Sequence, residues 1–262
     1  MLKNSSIFIN FKTVKKIYLI FVKLGVISSF AKIANTLSFT MPPKWLIRLS
    51  GVQINLTPPL REAAMIRFCK ENISNPIKML EVGTWFGEGS TKIWIRHLPP
   101  GSDLYLVDSW KPYFSENDRN SVDNIYTRMD LVPFSALVNT MRNVFNFEKQ
   151  KDLNIYTTRG NSIEFLHSLK DNIFDLIYID GSHYYEDVVV DIREAKRLVK
   201  NGGIVCGDDL EFLPSPSLME KASHWKASDF HDDFHPGVLL AVGEEFKTVQ
   251  LEEGFWWSKI LK

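Results

Sequence analysis

Residues 76–90 read PIKMLEVGTWFGEGS, and this stretch decides the fold. A short, largely apolar run, Ile77–Val82, gives way at once to three glycines, Gly83, Gly87 and Gly89. Near-continuous apolar runs mark strands covered on both faces, as in a parallel sheet. Glycine is used where the backbone turns tightly or lets a ligand approach closely. The pattern from Glu81 is ExGxxxGxGS, a strand-to-helix loop. It is not the GxGxxG that seats a pyrophosphate on a helix N-terminus, so it suits a ligand without phosphate there.

Outward from this loop, the same alternation repeats. Apolar runs at Leu104–Val107, Leu153–Thr157, Phe174–Ile179 and Gly203–Cys206 are separated by amphipathic stretches. Strands alternating with helices imply right-handed βαβ units. The clearest helix is predicted over Tyr184–Val199, ended by Asn201-Gly202-Gly203. A further helix over Val238–Phe246 and strands Thr248–Leu251 and Phe255–Ile260 close the chain and make the sheet mixed. Upstream, Thr57-Pro58-Pro59 reads as a helix start with Thr57 as N-cap, and Leu60, Ala64 and Phe68 as the inward stripe.

Composition is that of an ordinary globular chain: 262 residues, 45% hydrophobic, 24% charged and net charge zero. The charge is unevenly placed. Residues 1–61 carry nine Lys and Arg and no Asp or Glu. Such a segment could touch an anionic membrane surface or dock on an acidic body. Lys23 and Lys32 interrupt its apolar stretches, so neither a spanning helix nor a signal peptide is expected. The two cysteines, Cys69 and Cys206, form no CxxC pair, which argues against a thiolate zinc site or a disulfide framework. A cytoplasmic setting follows, with a peripheral membrane contact through residues 1–50 left open.

Chemistry-bearing residues collect at the predicted strand ends. Asp108 closes the second strand, about 20 residues past the glycine loop, where an acid accepts from ribose hydroxyls. It and Ser109 could equally cap a helix. Asn161 and Ser162 follow the third strand, as an adenine-facing pair or as a helix cap. The fourth strand ends Asp180-Gly181-Ser182-His183 and the fifth ends Gly207-Asp208-Asp209. Neighbouring strand ends would bring Asp180, Asp208 and Asp209 together with one imidazole. Crowded carboxylates need compensation, which a hard cation such as Mg²⁺ supplies. His183 titrates near neutrality and can take a proton. Tyr184, Tyr185, Trp225, Trp256 and Trp257 could line an acceptor pocket, although aromatics more often belong to the core. Residues 212–234 are a candidate cover over the site, and residues 111–150 are a second source of contacts.

These blocks resemble the class I S-adenosylmethionine (SAM)-dependent methyltransferases, most closely the small-molecule group with the macrocin-type sugar O-methyltransferases. The likeness is carried by LEVGTWFGEGS at 80–90, LYLVDSW at 104–110, FDLIYIDGSHYYEDVVVDI at 174–192 and GGIVCGDDL at 202–210. HPGVLLAVGEEF at 235–246 also fits. It implies a Rossmann-like three-layer α/β/α fold with a seven-stranded, mostly parallel sheet whose last strand is antiparallel. Residues 57–262 would form that domain, and residues 1–56 a basic helical accessory segment. The cofactor contacts it implies are Glu81, Gly83, Thr84, Trp85, Gly87 and Ser90 in the loop, then Asp108, Ser109, Asn161, Ser162 and Asp180. In metal-dependent members the positions of Asp180, Asp208 and Asp209 bind Mg²⁺, and that of His183 is the base. Asn161 departs from the Asp of many relatives.

The implied activity is transfer of a methyl group to a hydroxyl of a small molecule, a sugar or polyol. A metal-independent methyltransferase on another acceptor and a non-catalytic SAM-fold binding protein stay open as alternatives. A nicotinamide oxidoreductase is disfavoured by the missing GxGxxG. Nucleic acid is not expected as a partner, since no DPPY-type motif is present. Self-association stays open.

Overall fold

The computed structural model describes residues 47–48, 51–120, 125–148 and 152–262. Nearly all of the basic segment 1–50 therefore lies outside the described residues. Seven strands form one sheet in the order β3-β2-β1-β4-β5-β7-β6. They are β1 (Lys78–Val82), β2 (Asp103–Asp108), β3 (Asn154–Arg159), β4 (Phe174–Ile179), β5 (Val199–Gly207), β6 (Gln250–Glu252) and β7 (Phe255–Lys259). The first five are parallel, and β7 runs antiparallel between β5 and β6. The expected mixed seven-stranded sheet is thus present.

Helices cover both faces because the strands alternate within near-continuous apolar runs. In β4, Ile177 and Ile179 turn to one core and Leu176 and Tyr178 to the other. The first core packs them under α6 (Tyr185–Leu198) and α8 (Pro236–Glu245), through Val188, Ile192, Leu239 and Val242. The second packs them under α1 (Pro59–Asn72) and α2 (Ser90–His97), through Met65, Phe68 and Trp94. Each such side chain, fully buried, contributes about 1.5–3 kcal/mol. Among the described residues no helix is long and apolar enough to cross a membrane.

The pairing register sets up the site. Val82 stands opposite both Val107 and Ile179, and Ile179 opposite Gly207. The next residues along each strand are Gly83, Asp108, Asp180 and Asp208. Parallel strands in this register place all four on one rim of the sheet.

Three local expectations need correction. The N-cap of α1 is Pro58, not Thr57; Pro58 is extended, its carbonyl accepts from Glu62 N, and no side chain caps the helix. The inward stripe of α1 is Ala64, Met65, Phe68 and Cys69, while Leu60 is 64% exposed. Helix α6 ends at Leu198, before the Asn201-Gly202-Gly203 stop. Val199 is already extended and pairs with Phe174, so those three residues form an irregularity inside β5.

Candidate active site

Gly83 opens the rim. Its φ is +85°, and a Cβ built there would lie 1.8 Å from the Asp180 carbonyl oxygen. Only glycine allows the β1 and β4 ends to pass this closely. Asp108 then anchors the loop: its Oδ2 accepts from Thr84 N at 3.0 Å and Trp85 N at 2.9 Å, and its Oδ1 accepts from Trp110 N at 2.7 Å. Burial raises the Asp108 pKa, against these bonds. Trp85 and Trp110 both take left-handed φ values, 47° and 41°. Such conformations are uncommon for bulky residues and concentrate at functional sites. The Trp110 indole N–H donates to Trp85 O, so the two aromatics lock each other.

Behind the loop, Glu81 is fully buried and its Oε1 accepts from Ser90 Oγ at 2.6 Å. Burial, with the nearby Asp108 charge and against the Ser90 hydrogen bond, pushes its carboxyl up to about 8. Glu81 and Gly87 stand off the cavity wall and shape the loop from behind.

A cavity of about 280 Å³ opens on this rim. Gly83, Thr84, Trp85, Ser90, Asp108, Ser109, Asn161, Ser162, Asp180, His183, Asp208 and Asp209 all line it. Asn161 also caps α5 (Ser162–His167), its side-chain oxygen accepting from Glu164 N. The Ser162 hydroxyl donates to buried Asp191 at 2.9 Å. The cap and the cavity wall are therefore the same residue, as the sequence allowed.

The three acids converge: donor oxygens of Asp180, Asp208 and Asp209 lie within 4.8 Å of one another. Asp209 is held at φ 59°, outside the range most residues adopt. Into this cluster α1 sends Arg61. Its Nη1 is 2.7 Å from Asp208 Oδ1 and 2.8 Å from Asp209 Oδ1. The contact to Asp208 is one of charge; that buried Oδ1 has no aligned hydrogen bond. Burial, then the neighbouring Asp208 and Asp209 charges, hold the Asp180 carboxyl well above the usual range. Burial and Asp209 raise Asp208 to about 6, against Arg61. Asp209 moves the other way: His235, His183 and Arg61 outweigh burial and hold it well below the usual range.

His183 is gripped at both ring nitrogens. Nε2 is 3.1 Å from Asp209 Oδ2, and Nδ1 is 3.0 Å from Asp229 Oδ1. Two acceptors favour the doubly protonated ring, so the acids overcome burial and raise its pKa well above the ordinary value. Asp229 is 1% exposed and also accepts from Tyr113 OH at 3.1 Å. Beside His183, at 4.4 Å between ring centroids, stands His235. Its Nδ1 is 2.8 Å from Glu211 Oε1, and its backbone N donates to Glu211 Oε2.

The aromatic wall differs from the one expected. None of Tyr184, Tyr185, Trp225, Trp256 and Trp257 lines the cavity. Trp256 is core, and Trp257 stacks on Phe255. Trp225 stacks on His231, and Tyr185 bonds Glu244. The Tyr184 hydroxyl bridges Ser115 N and Asp118 Oδ2. The wall is built instead by Trp85, Phe86, Trp110, Tyr113 and Tyr126, with Lys111, Met129 and Asp130. Residues 111–150 thus supply cavity contacts, and residues 212–234 supply Asp229. Arg61, Asp229 and His235 were not singled out as site residues in the sequence. An Arg on an amphipathic helix and an Asp in a loop carry no local signal; only the fold brings them to the rim.

Residues 80–210 match a family model described as a methyltransferase domain. Among solved structures, the chain is similar to cofactor-bound Rv0187 from MTB, with 15% identity, a TM-score of 0.50, and coverage of 96% of this chain and 97% of that one. It is also similar to an O-methyltransferase from Bacillus cereus solved in complex with SAH, with 14% identity, a TM-score of 0.50, and coverage of 90% and 100%. At such identities the likeness speaks for the fold. No curated protein matches the chain. The family match spans half of the 262 residues and contains the glycine loop, all three acids and His183, so the chain belongs to the methyltransferase-domain family.

Proposed function

We propose that the chain is an O-methyltransferase that moves the SAM methyl group to a hydroxyl of a small molecule, a sugar or polyol, with His183 as base. The observation that carries this reading is His183 Nε2, 3.1 Å from Asp209 Oδ2, on the cavity rim that Gly83 and Asp108 share. The O-methyltransferase from Bacillus cereus supports a hydroxyl as acceptor. In this reading the loop 83–90 and Asp108 hold the adenosyl and methionine parts. Asn161 and Ser162 border the adenine. An entering hydroxyl displaces Asp209 from Nε2; the ring, protonated at both nitrogens while the two acids hold it, gives its Nε2 proton to water and, now neutral there, takes the hydroxyl proton. Asp229 keeps the ring oriented through Nδ1. The acceptor oxygen then attacks the sulfonium methyl in line with the departing sulfur, and the aromatic wall contributes positioning and water exclusion.

Asp180, Asp208 and Asp209 would hold a divalent cation, Mg²⁺. The donor set fits: three carboxylates with oxygens within 4.8 Å of one another, and Arg61 Nη1, 2.7 Å from Asp208 Oδ1, supplying the positive charge there. Bound there, the cation would supply Lewis acidity that makes a nearby hydroxyl easier to deprotonate.

Arg61 supports a second, metal-independent reading. In it the guanidinium, 2.7 Å and 2.8 Å from Asp208 and Asp209, balances the acids. His183 and positioning then carry the reaction.

Methyl transfer from labelled SAM to a panel of polyol and sugar acceptors, run with Mg²⁺ and with EDTA, tests the proposal. His183→Ala should lower turnover by about 10²–10⁴-fold and leave SAM affinity little changed. Unchanged turnover would remove His183 from the mechanism.

A further inference from the structure

We propose a second cation site beside the three carboxylates, formed by His183, His235 and Asp209, that takes a borderline divalent transition ion of the Zn²⁺ or Co²⁺ kind. A ring nitrogen of each histidine and an oxygen of Asp209 lie within 4.8 Å of one another. His183 Nε2 and Asp209 Oδ2 are already 3.1 Å apart. Ligands about 2.0–2.1 Å from a common tetrahedral ion stand about 3.3 Å apart, so this pair already spans one edge of a coordination shell. An inward shift of His235 by on the order of 1 Å closes the set.

The surroundings supply an independent argument. Metal-binding histidines hand their second ring N–H to a carboxylate, which fixes the tautomer and orients the ring. Both rings here do so. His183 Nδ1 is 3.0 Å from Asp229 and His235 Nδ1 is 2.8 Å from Glu211. With each Nδ1 committed, Nε2 is the nitrogen left to each ring for a metal. Asp229 and His235 are 1% and 7% exposed, so the arrangement is built into the interior rather than lying on a mobile surface.

The donor chemistry separates this site from the acidic one. Imidazole suits zinc, cobalt, nickel and iron, whereas Mg²⁺ prefers oxygen. Three protein ligands leave a coordination position open. The two sites share Asp209, so one ion excludes the other from that oxygen. Where His183 is the base of the methyl transfer, as in the reading above, an ion on Nε2 also withdraws it and acts as an off-state.

The test is a titration of the full-length, EDTA-stripped chain with Co²⁺, read by visible absorption, and with Zn²⁺, read by calorimetry. One equivalent should bind with the intense bands of a low-coordinate, nitrogen-ligated Co²⁺. His235→Ala should weaken binding at least tenfold. Glu211→Gln, which keeps every ligand, should weaken it about 10–100-fold. Asp180→Asn should change it less than about threefold, with excess Mg²⁺ failing to displace Co²⁺. Binding unaffected by both His235→Ala and Glu211→Gln, or abolished by Asp180→Asn, would overturn the site. Because the readout is the metal, a chain that binds Co²⁺ through His235 yet transfers no methyl group upholds this site and overturns the methyl-transfer reading instead.

Discussion

Arg61 Nη1 sits 2.7 Å from Asp208 and 2.8 Å from Asp209, tying helix α1 to the carboxyl end of β5. Its Nε also donates to Glu253 O, so one side chain joins α1, β5 and the β6–β7 turn. Removing one partner of a buried ion pair strands the other charges, at a cost of about 3–5 kcal/mol. Arg61→Met should therefore lower the melting temperature by on the order of 10 °C in EDTA. Millimolar Mg²⁺ should recover at least half of that loss. Melting curves check this; a loss that Mg²⁺ leaves untouched would show that the acids do not take up the cation.

Asp229 orients His183 through Nδ1, as the carboxylate of a triad orients its histidine. Asp229→Asn should lower kcat by at least about tenfold and leave KM for SAM within a few-fold. Steady-state kinetics separate the two constants. An equal rise in KM alone would assign Asp229 to cofactor binding.

Gly83→Ala puts a Cβ 1.8 Å from the Asp180 carbonyl at φ +85°. The left-handed conformation alone costs about 1–2 kcal/mol. Affinity for S-adenosylhomocysteine should fall at least about tenfold, with a lower melting temperature. Wild-type affinity in the variant would mean that the loop can move away from β4.

Much of this rim was legible in the sequence. The strands are short apolar runs, and the glycines, Asp108, Asp180 and Asp208 follow them directly, so local pattern and parallel register fix their company. Arg61 was not legible because it reaches Asp209 across 148 residues of sequence. Asp229 likewise meets His183 across 46 residues, from a loop that periodicity does not describe. The aromatic wall was not legible because residue type does not say which face an aromatic takes: Trp256 lies in the core and Trp85 on the cavity. The Thr57 cap failed because proline at the first helical positions moved the boundary by one residue.

Glu81 gives a pH dependence. Burial raises its carboxyl from the ordinary 4.5 to about 8, so the folded state holds a proton that the unfolded state releases. The stability this group contributes is whole below about pH 4.5 and is lost as pH rises through about 8. Glu81→Gln removes that proton exchange. Denaturant titrations at pH 5 and pH 8 should show a smaller decline for the variant, by on the order of a few kcal/mol. An equal decline in both chains would place the sensitivity elsewhere.

Calorimetric titration of the full chain with S-adenosylhomocysteine tests most directly whether the rim cavity is a methyl-donor site. One molecule should bind per chain, and Asp108→Ala should weaken it by at least about tenfold through the loss of a charge-assisted hydrogen-bond acceptor. No binding to the wild-type chain, or binding indifferent to Asp108, would contradict the assignment.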